Sequence, residues 1–367
     1  MNQVLILGGY GNFGARIAAA LVKDNISIII AGRDLQKAES LRNSLKQNAK
    51  ENLISIATFD ANKELDTQLT ILKPMVVINT IGPFQTADYS IAKTCIQHKV
   101  HYIDLADARE FVTGITYLDA LAKANNVAVV SGASTVPGLS SAVLEHYKNE
   151  FTTIDSLIYG ISPGQKAPRG LATTESILTY LGKPLKPWGN LKQQRYGWQD
   201  IYRQDYPELG KRWMANCDIP DLDLFPSRYN IKNIQFSAGM ESSVLHLGIW
   251  SMSYLVRIGL PLNLPKHAQL LLSLSHAFDW LGTTSGGMHM LIKGANREGK
   301  PVEIQWFLIA KMNDGPQIPC VPAIILCKKI IRGELQAQGA MPCVGLVNLD
   351  EYMKELEGFS ITQHILR

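Results

Sequence analysis

The stretch Val4-Leu5-Ile6-Leu7-Gly8-Gly9-Tyr10-Gly11-Asn12-Phe13-Gly14-Ala15-Arg16-Ile17 decides how the chain begins to fold. Four apolar residues in a row read as a buried strand. Three glycines spaced G-x-G-x-x-G follow, and the helical pattern Ala15–Lys23 comes directly after them. Gly9 permits the tight turn, Gly11 lets the backbone approach a pyrophosphate, and Gly14 lets the helix pack on the strand. Tyr10, Asn12 and Phe13 complete the loop, where the helix's free N–H groups and positive end hold phosphates. Such a motif alone is weak. Here a strand precedes it, a helix follows and a second strand arrives on schedule, so it reads as a dinucleotide site rather than a chance glycine-rich turn.

Working outward, the same grammar repeats. Short apolar runs at Ile26–Ile30, Ile54–Phe59, Met75–Asn79, Val100–Asp104 and Val127–Ser131 alternate with helical patterns such as Leu35–Gln47, Asp88–His98 and Tyr117–Asn125. Six buried strands separated by helices predict an α/β Rossmann domain, a doubly wound parallel sheet, over residues 1–135. Beyond about residue 151 the pattern changes. Ile154–Ile161 reads as a strand and Leu171–Leu181 as a helix. A helical region spans about Met240–Arg257 and Lys266–Leu281. The strands Met288–Lys293 and Val302–Lys311 join through a turn at residues 296–300. This predicts an α+β domain with a mixed, partly antiparallel sheet over residues 136–340.

The second strand selects the dinucleotide. An NAD site carries an acid about 20 residues past the glycines, bonded to the ribose 2′-hydroxyl. Here the strand ends in Ala31-Gly32-Arg33-Asp34: small residues leave room for a 2′-phosphate, and Arg33 offers a charged fork for it. NADP is therefore favoured over NAD, with Asp34 as a helix N-cap. Asp60, after the third strand, reads equally as an acceptor for the adenine amino group or as a turn or cap residue. Thr80, Ile81, Gly82 and Pro83, after the fourth, bring backbone groups to the nicotinamide ribose.

Several features point elsewhere and are set aside. Tyr89 and Lys93 match the Tyr-x-x-x-Lys pair of short-chain dehydrogenases, but far too early in the chain and with Val76 where that family has serine. His98, His101, Asp104 and Asp107 look like a metal set, yet His101 and Asp104 face opposite sides of one strand, so no metal is expected. Asp221-Leu222-Asp223 reads as a solvated loop. A net charge of +4 over 367 residues, with no basic run, excludes a dedicated nucleic-acid partner. Five cysteines with no C-x-x-C pair, and a start with no basic n-region, predict buried thiols in a reducing, cytoplasmic compartment. Val244–Leu264 is apolar but contains His246, Arg257 and Pro261, so a buried or subunit-contact helix is preferred to membrane association through 244–264.

The segments Gly8–Gly14, Ala31–Arg33, Asn79–Phe84, His101–Leu105 and Ser131–Gly138, with Asp314–Pro319 and Pro322-Ala323 later, together resemble the saccharopine dehydrogenase-like (saccharopine reductase-like) family. The resemblance implies a Rossmann domain plus an α+β domain, a homodimer formed through the latter, and a final segment, 341–367, returning toward the first domain. It also implies NADP-linked hydride transfer at a C–N bond of a small-molecule substrate.

Together these readings predict an NADP(H)-dependent oxidoreductase acting on an imine, amine or carbonyl centre. Asp104 and Asp107, at the end of the fifth strand, are the candidate proton donors. Arg169, Arg195 and Arg228 are candidates for an acidic substrate, each also reading as a cap or surface ion pair. Cys217, between Asn216 and Asp218, reads as a site thiol or, in preference, as core packing. The alternative is an NADP(H)-binding sensor or scaffold without turnover.

Overall fold

Runs such as Val4-Leu5-Ile6-Leu7 and Ile28-Ile29-Ile30 have no polar face, so they are stable only inside a sheet covered on both sides. The computed structural model, which describes residues 3–46, 53–188, 194–335 and 337–367, places them there. The first stretch runs β1 (Val4–Leu7), α1 (Asn12–Lys23), β2 (Ile28–Gly32), α2 (Leu35–Lys46), β3 (Ile54–Thr58), α3 (Ala61–Leu72), β4 (Val76–Asn79), α4 (Ser90–Gln97) and β5 (His101–Asp104). It continues through α5 (Arg109–Gly114), α6 (Asp119–Ala124), β6 (Ala128–Ser131) and α7 (Ser140–Tyr147). The middle stretch holds β7 (Thr153–Ser162), α8 (Leu171–Tyr180), β8 (Tyr202–Tyr206), β9 (Gly210–Asn216), α9 (Asp221–Arg228), β10 (Ile231–Met240), α10 (Ser243–Arg257) and α11 (Ala268–His276). The last holds β11 (Gly286–Ala295), β12 (Pro301–Ala310), α12 (Val321–Ile331), β13 (Gly339–Pro342), α13 (Leu349–Glu355) and β14 (Ile361–Leu366).

Two seven-stranded sheets result. The first has the order β13-β6-β5-β4-β1-β2-β3, all parallel, with Ile6 opposite Ile30 on one side and Ile78 on the other. The strand order reverses beside β1, which is where a doubly wound sheet opens a ligand crevice. The second sheet, β14-β12-β11-β7-β10-β9-β8, is mixed: β7 and β10 run parallel and the other pairs antiparallel.

The chain divides into two units, Met1–Val143 with Gln317–Leu356, and Leu144–Pro316 with Glu357–Arg367. This corrects the sequence expectation for residues 317–340. Nine of the eleven residues of α12 are buried, and the helix packs against α1. The Cys320 thiol donates to the Phe13 carbonyl (3.7 Å), the Lys328 ammonium pairs with Asp24 and Glu355, and β13 extends the parallel sheet beside β6. The final segment is divided as well, because β14 pairs with β12 in the second sheet. Met240 ends a strand rather than starting a helix, and Asp221 is a buried residue opening α9, not part of a solvated loop; it accepts from the Tyr159 hydroxyl at 2.9 Å. Gln47, expected to end the second helix, lies outside the described residues.

Candidate functional site

The turn after β1 is tighter than the three-glycine reading implies. Its left-handed residue is Gly8 (φ 71°), one place before the motif. A side chain on Gly8 would sit 2.8 Å from the Thr80 hydroxyl oxygen. A Cβ on Gly14 would lie 2.4 Å from the Gly8 carbonyl oxygen, so α1 can approach the turn only without one. Gly11 is the N-cap of α1, and no side chain caps the helix. The N–H groups of Asn12, Phe13 and Gly14 therefore point out of the helix end without an intrahelical acceptor. No acidic residue stands in that first turn. Free donors and a positive helix end suit a pyrophosphate.

Tyr10 reaches back across this loop to the end of β2. Its hydroxyl accepts from the Asp34 N–H at 3.0 Å, and its ring fills the space over Gly32, where an added Cβ would meet Tyr10 Cε1 at 2.4 Å. The small residue expected to leave room for a phosphate thus makes room for Tyr10, and the open position is that of Arg33. Arg33 is exposed and has no hydrogen-bond or ion-pair partner among the described residues. Asp34 caps α2, accepting from the Lys37 N–H at 3.1 Å, and its pKa is lowered chiefly by that bond.

At the end of β4 the side chains brace the turns. The Thr80 hydroxyl donates to the Leu7 carbonyl at 2.8 Å, tying β4 to the glycine loop. Asn79 accepts from the Ile81 N–H (3.0 Å) and donates to the Tyr102 hydroxyl (3.2 Å). Ile81 and Gly82 are exposed, and Pro83 follows through a cis peptide. After β3, Asp60 is the N-cap of α3: it accepts from the Asn62 N–H at 3.1 Å, while its own N–H donates to Glu64 at 3.0 Å.

The two aspartates after β5 separate sharply. Asp104, expected as a proton donor, is 0% exposed. One oxygen accepts from the Ala106 N–H (3.0 Å), the Ser131 hydroxyl (2.9 Å) and the Gly132 N–H (2.9 Å), which fixes the turn leaving β6. Burial raises its pKa to about 6 against the pull of those donors. Asp107 is half-buried and accepts from the Gln85 side chain at 3.1 Å. Burial pushes its carboxyl above the usual range, with the Gln85 bond opposing. Gln85 carries no motif of its own, and Gly8 and Ser131, though inside segments that carry the resemblance, have no site role assigned to them.

The residues set aside have other work. The Tyr89 hydroxyl donates to the Phe111 carbonyl (2.8 Å), while Lys93 lies over the Tyr117 ring. His98 bonds Asp66 at 2.8 Å and His101 accepts from the Ala128 N–H at 2.9 Å; no metal-ligand cluster exists among the described residues. In the second unit Arg169 pairs with Asp279, Arg195 with Asp200 (2.5 Å) and Arg228 with Glu145 (3.3 Å), so all three substrate candidates form intrachain ion pairs. All five cysteines are buried thiols outside any disulfide. No helix among the described residues is long and apolar enough to cross a membrane.

Residues 4–136 match the family model of the saccharopine dehydrogenase NADP binding domain. No curated protein matches the chain in sequence. Among solved structures, apo saccharopine dehydrogenase (L-Glu forming) from Saccharomyces cerevisiae aligns over 100% of both chains with a TM-score of 0.67 at 14% identity. The amine dehydrogenase from Mycobacterium smegmatis aligns over 93% of this chain and 94% of its own, with a TM-score of 0.49 at 13% identity. At 14% identity the yeast likeness is one of fold, extending over both units. Residues 4–136 are thus similar to the NADP-binding domain of the saccharopine dehydrogenase family.

Proposed function

We propose that the chain uses NADPH in preference to NADH, and that it catalyses hydride transfer at a C–N or carbonyl centre of a small substrate. The observation that carries this reading is Arg33. It is exposed and unpartnered among the described residues, on a corner where an NAD site would carry a carboxylate. The cofactor supplies the hydride; the chain binds, orients and handles a proton. The N–H groups of Asn12, Phe13 and Gly14 hold the pyrophosphate, and Arg33 holds the 2′-phosphate. Asp107 is the group placed to exchange a proton: Gln85 donates to its carboxylate and fixes its orientation, and burial shifts its proton affinity upward. Asp104 positions the turn at Gly132 without touching substrate.

A second reading is a protein that binds NADP(H) without turnover. The closed environment of Asp104 and the ion-paired arginines of the second unit favour it. Titrating the chain with NADPH and NADH, then assaying oxidation with a panel of imines, semialdehydes and ketones, tests both. Tighter NADPH binding with turnover supports the first reading, and NADPH binding with no turnover supports the second. NADH bound as tightly as NADPH overturns the role given to Arg33.

A further inference from the structure

Ten of the twenty exposed large apolar side chains among the described residues lie between Val244 and Leu281. The helices there are built the wrong way round for a face that meets only water. Helix α10 buries His246 and Ser253 and exposes Val244, Tyr254 and Leu255. Helix α11 buries Ala268 and Leu272 on one side and exposes Leu270 and Leu274, one turn apart, on the other. A helix apolar on both faces belongs inside something. Between the two helices every residue from Arg257 to Asn263 is exposed, the apolar Ile258, Leu260 and Leu262 among them.

The charge of this region is one-sided. From Ser242 to Phe278 there is no Asp or Glu, while Arg257 and Lys266 bracket the loop. The acids at its margins are internally neutralised: Glu241 pairs with Arg212 at 3.6 Å, and Asp279 with Arg169 and His276. Lys266 has no partner among the described residues.

We propose that α10, the loop after it and α11 dock peripherally on an anionic lipid surface. Ile258, Leu260 and Leu262 enter between the head groups and Lys266 faces the lipid anions, while Arg257, which donates to the Gln199 side chain at 2.6 Å and lies over the Tyr196 ring, adds positive charge at the rim. Two features favour lipid over a second copy of the chain. An exposed apolar loop needs a matching apolar surface on a protein but none on a fluid bilayer. A symmetric pair would also bring Arg257 and Lys266 toward their own copies with no acid between, whereas an anionic leaflet attracts both.

The test is sedimentation of the full chain with phosphatidylcholine vesicles, with and without phosphatidylserine. Wild type pellets with the anionic vesicles and about tenfold less with the neutral ones. The triple variant Ile258→Glu, Leu260→Glu, Leu262→Glu stays in the supernatant. Lys266→Glu pellets several-fold less, and both variants keep wild-type circular dichroism and NADPH binding. Light scattering of the same samples reports a wild-type mass unchanged by the triple variant. Three results overturn the proposal: wild type left in the supernatant with anionic vesicles, a triple variant that still pellets, or a wild-type dimer that the triple variant converts to monomer. The last assigns the face to a second copy.

Discussion

In the first sheet every strand pair is parallel, and the polar residues of interest stand just past the strand ends: Gly8–Gly14 after β1, Arg33 after β2, Asp60 after β3, Thr80 after β4, Asp107 after β5. In the second sheet five of six pairs are antiparallel, and polar side chains turn inward on one another. His289 is buried between the hydroxyls of Tyr206 (2.8 Å) and Tyr202 (3.2 Å), and Arg212 donates to the Ser162, Pro163 and Ser285 carbonyls. A parallel sheet collects its loose ends, and so its ligand groups, along one edge. A mixed sheet has no such edge, and here its buried polar groups stabilise the fold. An arginine in the second unit is therefore weak evidence of substrate binding, whereas one at a strand end in the first is strong.

Six substitutions would break or sharpen that contrast. The largest effect is expected from Gly14→Val. Its side chain collides with the Gly8 carbonyl oxygen. We expect NADPH affinity, read by tryptophan quenching, to fall by about 100-fold or more. Next is Asp104→Ala, which strands three donors and should lower stability in urea by about 3 kcal/mol. The buried groups of the two sheets also respond to pH with opposite signs. Because the folded pKa of Asp104 is raised to about 6, its contribution is complete below about pH 4 and lost as pH rises through 6. Burial lowers the pKa of His289 to about 3, so its contribution is complete above about pH 6.5 and lost as pH falls toward 3. Asp104→Asn and His289→Gln should each flatten one limb of the stability–pH curve; a single variant that flattened both would break the contrast.

Arg33→Ala comes third: NADPH should bind about 10- to 100-fold more weakly and NADH as before. The smallest effect belongs to Arg228→Ala in the second unit. Its half-exposed pair with Glu145 is worth under about 1 kcal/mol, and thermal melting should barely move. A Michaelis constant raised tenfold in that variant would return Arg228 to the substrate site.

The same contrast explains what could be read from the residues alone. Strands β1, β2 and β4 are largely apolar runs with no alternative fate; β3 (Ile-Ser-Ile-Ala-Thr) and β5 (His-Tyr-Ile-Asp) are mixed, β2 lies two residues later than Ile26–Ile30, and β3 to β6 are each one residue shorter than expected. Strands β8 and β9 were invisible because their buried sets include Gln204, Arg212 and Asn216, residues that read as loop until their partners are known. Helix α12 is plainly a buried helix, but a single sequence does not say which sheet covers it. The candidate site divides in the same way. Local geometry marks Gly11, Gly14 and Arg33. The filling of the space over Gly32 by the Tyr10 ring, and the closure of Asp104 by Ser131 and Gly132, depend on residues 22 to 28 positions apart.

The central claim is that Arg33 reads a 2′-phosphate at the end of β2. Calorimetric titration of wild type and Arg33→Ala with NADPH and NADH tests it directly. The account predicts that wild type binds NADPH at least about tenfold more tightly than NADH and that the variant binds both alike. A wild type indifferent to the 2′-phosphate, or a variant that keeps the preference, would contradict it.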